Sequence, residues 1–323
     1  MARQDRACYD PRTVARAVHL SILVLSTAVL HCGGCEKSTG LREEGVRVWG
    51  REKIDDSVKA RAQQPIDTGK LDVDTEMRAR VLEMPFDEVV TRFGFLKLEA
   101  EARFELSRNG HQIPVYENTT IDHGLQGSFR VLQKDKDGDV TREAIFTNGV
   151  LYVRNGAKAK MRVQGIINDQ HRAIREESWS PLKTFTGYFG PRLGLRQGRT
   201  RRINGRATVR YRLQLVDGPE LIEVPGMRGK KKPIALSGDL YVDEKTGVPT
   251  QAKLQAELQI PGAPDAQPGV LKLFLDMKIT AGKAEEIKPE SFVPTIAHRP
   301  VDLDPLRFLK GDTRTSTVIG GRR

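Results

Sequence analysis

The alternation of apolar and polar residues is the most regular feature of this chain. Between residues 96 and 107, apolar side chains occupy every second position, and charged or polar side chains occupy the positions between them. Successive side chains of a β-strand point to opposite faces of a sheet, so this period of two predicts a strand with one apolar and one solvated face. The same alternation recurs in the segments 209–215, 253–260 and 271–279.

Shorter apolar segments separated by turn residues predict further strands. Asn109-Gly110, Asp137-Gly138 and Asn148-Gly149 are residue pairs typical of tight hairpin turns. They separate strands predicted at 112–122, 126–134, 139–147 and 150–154. The chain lacks the strand–helix–strand alternation of parallel sheets. The pattern therefore predicts roughly nine or ten antiparallel strands that share one apolar face.

Helical spacing occurs in two places. Apolar residues from Met77 to Phe93 recur at intervals of three or four. Pro85 lies within this segment, and because proline disrupts a helix interior but suits a first turn, it predicts two short helices that meet there. The second place is 166–190, where a helix is expected to start at Asn168 or Asp169 and to be interrupted at Pro181.

The first 34 residues have the organisation of a bacterial export signal. Arginines precede an apolar run from Val18 to Leu30, which is too short to span a bilayer. Gly33-Gly34-Cys35 then resembles the end of a lipobox, where the signal is cut before a cysteine that receives lipid. We therefore expect residues 1–34 to be a lipoprotein signal peptide and Cys35 to be the lipid attachment site.

The other cysteines leave an alternative open. Cys32 stands three positions before Cys35, where an aliphatic residue is usual, so an ordinary secretory signal is the other interpretation. The chain has three cysteines, and cleavage before Cys35 would remove Cys8 and Cys32. The remaining thiol would have no disulfide partner, which favours acylation.

Composition divides the rest of the chain. Residues 35–73 are polar with few bulky apolar side chains, so we expect a flexible tether and ordered structure from about Asp74 onward. A folded domain over 74–300 and a flexible C-terminal tail over 301–323 complete the expected organisation.

The chain is basic, with 53 Lys and Arg against 42 Asp and Glu and a net charge of +11, and this favours anionic partners. Eight arginines lie in the segment 192–212. Arg199, Arg201 and Arg202 are the candidates for contact with phosphate headgroups or an acidic protein. Nucleic acid is not expected to be a partner of an exported protein. The alternative is that these arginines are simply solvent-exposed side chains on the outer face of a strand and have no binding role.

Residues that carry chemistry are sparse. Outside the signal, His111, His123, His171 and His298 are far apart in sequence and show no zinc-binding spacing. The sequence contains neither a nucleophile elbow nor a phosphate-binding loop. It therefore predicts a protein that is not an enzyme and that has no metal site and no cofactor.

A late hairpin resembles part of a known family. It reads Leu240-Tyr241-Val242-Asp243 and then Thr246-Gly247-Val248-Pro249. Together with the order of helices and strands, it resembles the periplasmic lipoprotein carriers LolA and LolB, the mycobacterial lipid carriers LppX and LprG, and the sensor domain of RseB. The resemblance implies an α+β half-barrel, in which helices cover the concave face of a curved antiparallel β-sheet of about 9–11 strands.

The resemblance also implies a binding site. A gap between sheet and helices would form an apolar cavity for an acyl chain, with polar groups at its rim. Candidates for the concave face are Leu98, Ala100, Ala102, Phe104, Leu213, Leu215, Leu254, Leu258, Leu273 and Leu275. The alternative is that these residues form an ordinary core beneath the helices.

Two functions of different classes follow. The first is a lipid-anchored envelope lipoprotein that binds acyl chains of a lipid or lipoprotein for transport or assembly. The second is an envelope sensor or scaffold that docks a protein partner through the sheet, without lipid cargo. In both, the N-terminal lipid holds the protein at a membrane. Glu36, directly after the cysteine, favours the outer membrane, with the protein facing the periplasm.

Overall fold

The structure is a computed structural model, and it describes residues 54–108, 111–159, 161–163, 170–227, 229–261 and 268–290. The predicted signal peptide, Cys35, the first part of the tether and the C-terminal tail lie outside these residues, as do the turn at Asn109-Gly110 and the helix start at Asn168 or Asp169. No helix in the described ranges is both long enough and apolar enough to cross a membrane.

Five α-helices and twelve strands make up the described part of the chain. The helices are α1 (Asp56–Gln63), α2 (Thr75–Leu82), α3 (Phe86–Phe93), α4 (Gln170–Trp179) and α5 (Pro181–Gly187). The strands are β1 (Leu96–Arg108), β2 (His111–His123), β3 (Phe129–Lys134), β4 (Val140–Thr147), β5 (Val150–Asn155), β6 (Arg162–Val163), β7 (Leu193–Ile203), β8 (Arg206–Leu215), β9 (Ile222–Glu223), β10 (Lys230–Asp243), β11 (Pro249–Ile260) and β12 (Gly269–Ala281).

The strands form one open antiparallel sheet. Strands β1 to β6 follow one another to one edge in sequence order. The chain then passes through α4 and α5 to the opposite edge, where β7 starts, and β7, β8, β10, β11 and β12 lead back to the middle. There β12 pairs with β1, with Leu96 opposite Ala281 and Ser107 opposite Val270. The short β9 pairs only with the start of β10. The predicted α+β class with a curved antiparallel sheet is confirmed.

The prolines mark the helix boundaries that the sequence predicts. Pro85 is the residue before α3, and Pro181 is the first residue of α5. Proline fits here because the first helical N–H groups have no partner within the helix, so its missing N–H costs nothing. Helix α2 begins after Asp74, whose carboxylate accepts a hydrogen bond from the Met77 nitrogen at 2.9 Å.

Part of the predicted tether has regular structure. Residues 54–73, termed the N-terminal strap below, contain α1 and bury Thr68 and Leu71. The expectation of a tether reaching to residue 73 is therefore wrong for the strap. None of the α1 residues is buried, so this helix has no apolar stripe by which a hydrophobic pattern could reveal it.

Candidate binding surfaces

The predicted cavity residues share the inner face of the sheet, which is the face beneath the helices. Leu213 on β8 lies beside Gly238 on β10, which lies beside Leu254 on β11. Leu254 lies beside Leu275 on β12, which in turn lies beside Ala102 on β1. This row crosses five strands. By register, the other predicted residues lie on the same face in neighbouring rows.

All ten residues belong to, or pack against, a single hydrophobic core. Eight of them are no more than 6% exposed, and Phe104 and Leu215 are partly buried. The structure therefore brings the predicted residues together on one face. Their role in holding a ligand remains a prediction.

The protein's own helices lie on this inner face. Helix α4 packs against β2 and β3, and α5 packs against β12. Phe86 of α3 and Trp179 of α4 are almost completely buried and meet edge to face, with ring centroids 5.9 Å apart. The Trp179 indole nitrogen donates a hydrogen bond to the Met84 carbonyl oxygen at 2.7 Å. Large aromatic side chains placed in this way fill the volume between the sheet and the helices.

Charged groups hold α3 and α4 together above the sheet. Arg175 is 3% exposed, pairs with Asp87, and places its guanidinium carbon 5.2 Å from the centre of the Phe86 ring. Glu176 accepts a hydrogen bond from the Phe86 backbone nitrogen at 2.8 Å, and burial raises the pKa of the Glu176 carboxyl. Separating a buried ion pair leaves an uncompensated charge, so these contacts favour one arrangement of the two helices.

Two cavities of the structure lie away from the predicted residues. One of about 400 Å³ lies beside the segment after β9 and is lined by Glu223, Val224, Pro225, Met227, Gly229 and Lys230. A smaller one of about 150 Å³ lies between α3 and the ends of β7, β11 and β12. Neither is lined by any of the ten predicted residues. The larger cavity mixes apolar side chains with a carboxylate and an ammonium group, whereas an acyl site is expected to be mostly apolar.

The predicted anion-contact residues lie on the edge strand β7. Strand β8 pairs with one side of β7, and no other described strand pairs with its outer side. Residues 196–202, termed the basic edge below, are all exposed and include Arg196, Arg199, Arg201 and Arg202. None of these four side chains forms an ion pair with a described residue. Arg196 lies directly opposite Arg212 on β8, and like charges in this position repel.

Other arginines of the same sequence cluster have structural partners. Arg210 makes hydrogen bonds of 2.9 and 2.7 Å to the Asp239 carboxylate. Arg192 donates to the carbonyl oxygen of Val216 at 2.5 Å and to that of Pro219 at 3.0 Å. The cluster therefore divides into arginines that stabilise the sheet and arginines on its edge that have no ion-pair partner among the described residues.

The hairpin that joins β10 to β11 forms a platform for the strap. Asp243 accepts hydrogen bonds from the Thr246 nitrogen and hydroxyl at 2.8 and 2.7 Å, and from Arg206 Nε at 2.6 Å. Gly247 has a φ of 70°, and a Cβ there would lie 2.5 Å from the Ile66 side chain of the strap. The residues that carry the family resemblance thus shape a turn against which the strap packs.

We expect Asp243→Asn to reduce stability at neutral pH. Burial opposes ionisation of the Asp243 carboxyl, but hydrogen bonds from Arg206 and Thr246 outweigh it and hold the pKa of Asp243 below its usual range. A carboxyl whose pKa is lower in the folded state than in the unfolded state stabilises the protein fully when the pH is above the unfolded-state pKa of about 3.9. This contribution is lost as the pH falls toward the folded-state pKa. The variant should unfold about 1–3 kcal/mol more easily at pH 7, and the difference should shrink below about pH 4.

Urea unfolding of wild type and Asp243→Asn at pH 7 and pH 3 measures this effect. Asp217→Asn, at an exposed aspartate, is the matched control and should change stability little at either pH. A stability difference for Asp243→Asn that is the same at both pH values would contradict the expected linkage.

Two of the described histidines, His123 and His171, take part in the packing, whereas His111 is exposed. His171 stacks on Phe146 with ring centroids 4.2 Å apart, and His123 meets Phe86 edge to face at 5.9 Å. In the described ranges, no group of three His, Cys, Asp or Glu side chains could hold a metal ion.

Comparison with known proteins returns distant structural matches. The sequence matches no known family model and no curated protein. The crystal structure of MucB is similar at 17% identity and a TM-score of 0.23, over 64% of this chain and 57% of that chain. The complex structure of Pseudomonas aeruginosa MucA/MucB matches at 18% identity and a TM-score of 0.21, over 58% of this chain and 54% of that chain.

A third solved structure carries the name of the family that the hairpin resembles. This LolA superfamily protein from Nitrosomonas europaea matches at 10% identity and a TM-score of 0.18, over 57% of this chain and 85% of that chain. By contrast, this chain spans little more than half the length of the two MucB structures. The fold assignment itself rests on the sheet and helices described above.

Proposed function

We propose that this protein is a non-enzymatic, lipid-anchored protein of the bacterial envelope that docks a protein partner and holds no lipid cargo inside its sheet. The observation that carries the proposal is the filled inner face, where eight of the ten residues predicted to line an acyl cavity are buried in a single core and α4 and α5 pack against the same sheet. From the sequence, acyl-chain transport is the first hypothesis and partner docking the second. The packing of the inner face supports the reverse order.

The cost of opening the inner face favours docking. An acyl chain could enter only if the helices moved, which would expose Phe86 and Trp179 and disturb the pair between Arg175 and Asp87. Exposing one large apolar side chain costs roughly 1.5–3 kcal/mol, and breaking a buried ion pair adds to that cost. To open the inner face, a lipid would have to bind the open form more tightly than the closed form by at least this free energy. A partner that binds surfaces already exposed meets no such cost.

The proposed lipid anchor on Cys35 limits how far from the membrane the partner can lie. Lipid on Cys35 would hold the protein at a membrane, and Ile54, the start of the strap, is 19 positions after Cys35. An extended chain spans at most about 3.6 Å per residue, so the strap would begin within roughly 70 Å of the membrane surface. We propose that this surface is the periplasmic side of the outer membrane, and that the partner lies within the same reach.

We expect the chain from Glu36 to Arg323 to purify without bound lipid. Its inner face is occupied by aromatic and aliphatic side chains, so no acyl chain should remain after purification. Native mass spectrometry should show the mass of the polypeptide alone, before and after incubation with envelope phospholipids. A protein with an established acyl cavity, treated in the same way, shows that bound lipid is detected. Lipid at a defined ratio to this chain would overturn the proposal and favour the carrier function.

A further inference from the structure

We propose that the basic edge binds an extended acidic segment of the partner protein, which pairs with β7 as an additional strand. This inference rests on the proposed docking function and names its surface. Among the described strands, β7 is the outermost on its side of the sheet, and residues 196–202 are exposed. The outer side of an edge strand presents unpaired backbone N–H and C=O groups, and an extended peptide can continue the sheet by pairing with them.

Charge identifies the kind of strand that fits. The basic edge holds four arginines in seven residues, and the described residues supply no carboxylate that neutralises them. Arg196 and Arg212 are directly opposite each other, and the hydrogen bonds of the Asp239 carboxylate on β10 go to Arg210. A strand that carries Asp or Glu beside β7 would place opposite charges next to each other, which stabilises paired strands.

The chain itself offers no segment of suitable charge. Residues 291–323 contain six Lys and Arg against three Asp, and residues 36–53 contain five Lys and Arg against four Glu. A second copy of this chain fits no better, because pairing of two basic edges would bring arginine opposite arginine. The occupant is therefore a different polypeptide with an acidic, extended segment.

A membrane surface fits the edge less well than a strand does. Anionic headgroups would neutralise the arginines, but they cannot continue the regular hydrogen bonding of the sheet. A second alternative is that the charge and the register shift between Gln197 and Thr200 only protect the edge from unwanted pairing. These alternatives predict different results in one binding experiment.

The experiment measures the binding of labelled peptides to residues 36–323 by fluorescence anisotropy. The probe is a peptide of about ten alternating Glu and Val residues, which is long enough to span the basic edge. A second peptide of equal charge has Pro in place of Val, so that it cannot pair as a strand. We expect the Glu-Val peptide to bind, binding to weaken as salt rises, and the Glu-Pro peptide to bind at least about tenfold more weakly.

Matched charge reversals locate the site. R199E/R201E should weaken binding of the Glu-Val peptide by at least about tenfold. K253E/K283E makes the same charge change at two lysines whose side chains are 73% and 80% exposed, away from the edge, and should leave the affinity within about twofold. Because all four side chains are exposed, both variants should fold.

Four results would overturn the inference. One is equal affinity for the Glu-Val and Glu-Pro peptides, which would indicate charge attraction without strand pairing. Another is equal loss of affinity in both double variants. The third is that the protein binds phosphatidylglycerol vesicles but not the Glu-Val peptide, and that R199E/R201E abolishes the binding to vesicles. This result would make the basic edge a site for lipid headgroups. The fourth is that a protein shown to carry no lipid binds neither peptide nor vesicles. This result would leave the proposed docking function in place and would exclude only the basic edge as its surface.

Discussion

Replacing Gly238 by alanine should destabilise the protein by about 3 kcal/mol or more. Gly238 lies within β10 with a φ of 131°, a conformation that residues with a Cβ rarely adopt. A Cβ there would lie 2.2 Å from the Lys253 carbonyl oxygen and 2.8 Å from the Leu254 Cα. Both are backbone atoms of the neighbouring strand and cannot rotate away as a side chain can. Relief would require β10 and β11 to separate in the middle of the sheet.

Urea unfolding of Gly238→Ala and Gly187→Ala measures this effect against a matched control. Gly187, the last residue of α5, has no positive φ, and a Cβ there would meet no atom within 4 Å. The same chemical change at Gly187 should leave stability within about 1 kcal/mol of wild type. If the two variants unfold at the same urea concentration, then Gly238 is not required by the geometry of the sheet.

Glu88→Ala should cost about 3–5 kcal/mol and should release the N-terminal strap. Glu88 is 1% exposed, and its carboxylate lies 2.9 Å from Arg92 Nε, 3.6 Å from Arg61 Nε and 3.8 Å from Arg80 Nη2. Arg80 and Arg92 also donate hydrogen bonds to the carbonyl oxygens of Arg61 and Gln64 at the end of α1. Without the carboxylate, three cations would lie close together and hold α1 less firmly.

Two measurements separate loss of the strap from loss of the whole fold. Urea unfolding reports the stability of the domain, and hydrogen exchange of the α1 amides reports opening of the strap. In Glu88→Ala, the α1 amides should exchange much faster than those of β1 and β12. Glu83→Ala, at an exposed glutamate just after α2, is the control and should resemble wild type. Wild-type protection of α1 in Glu88→Ala would contradict the role assigned to this carboxylate.

The strands and the composition of the inner face could be predicted because they are encoded locally. Leu98 and Ala102 alternate with Glu99 and Glu101, and a strand with one solvated face repeats this pattern directly in the sequence. Pro85 acts in the same local way, since its missing N–H limits which helix positions it can occupy. Such signals require no knowledge of which distant segment packs above them.

What covers the inner face could not be predicted, because it depends on contacts between distant segments. The hydrogen bond from the Phe86 nitrogen to Glu176 joins residues 90 positions apart, and neither residue has a local signal for the other. The same limit applies to the arginine cluster, where the carboxylate that pairs with Arg210 is 29 residues away and Arg199 forms no ion pair with a residue that the structure describes. Helix α1 was missed because guanidinium groups hold its end through hydrogen bonds to backbone carbonyls, and a hydrophobic pattern does not record them.

The pairing of β12 with β1 joins two halves of the described sheet. Leu96 and Ala281 are neighbours in the sheet although 185 positions separate them in the chain. Closing so long a loop costs conformational entropy before the contacts form, so this pairing should be among the slowest steps of folding. Until β12 arrives, the sheet exists as two halves, β1 to β6 and β7 to β11, that share no strand pairing. A chain cut before β12 would therefore expose the edges of both β1 and β11, and two unpaired edges of this length invite aggregation.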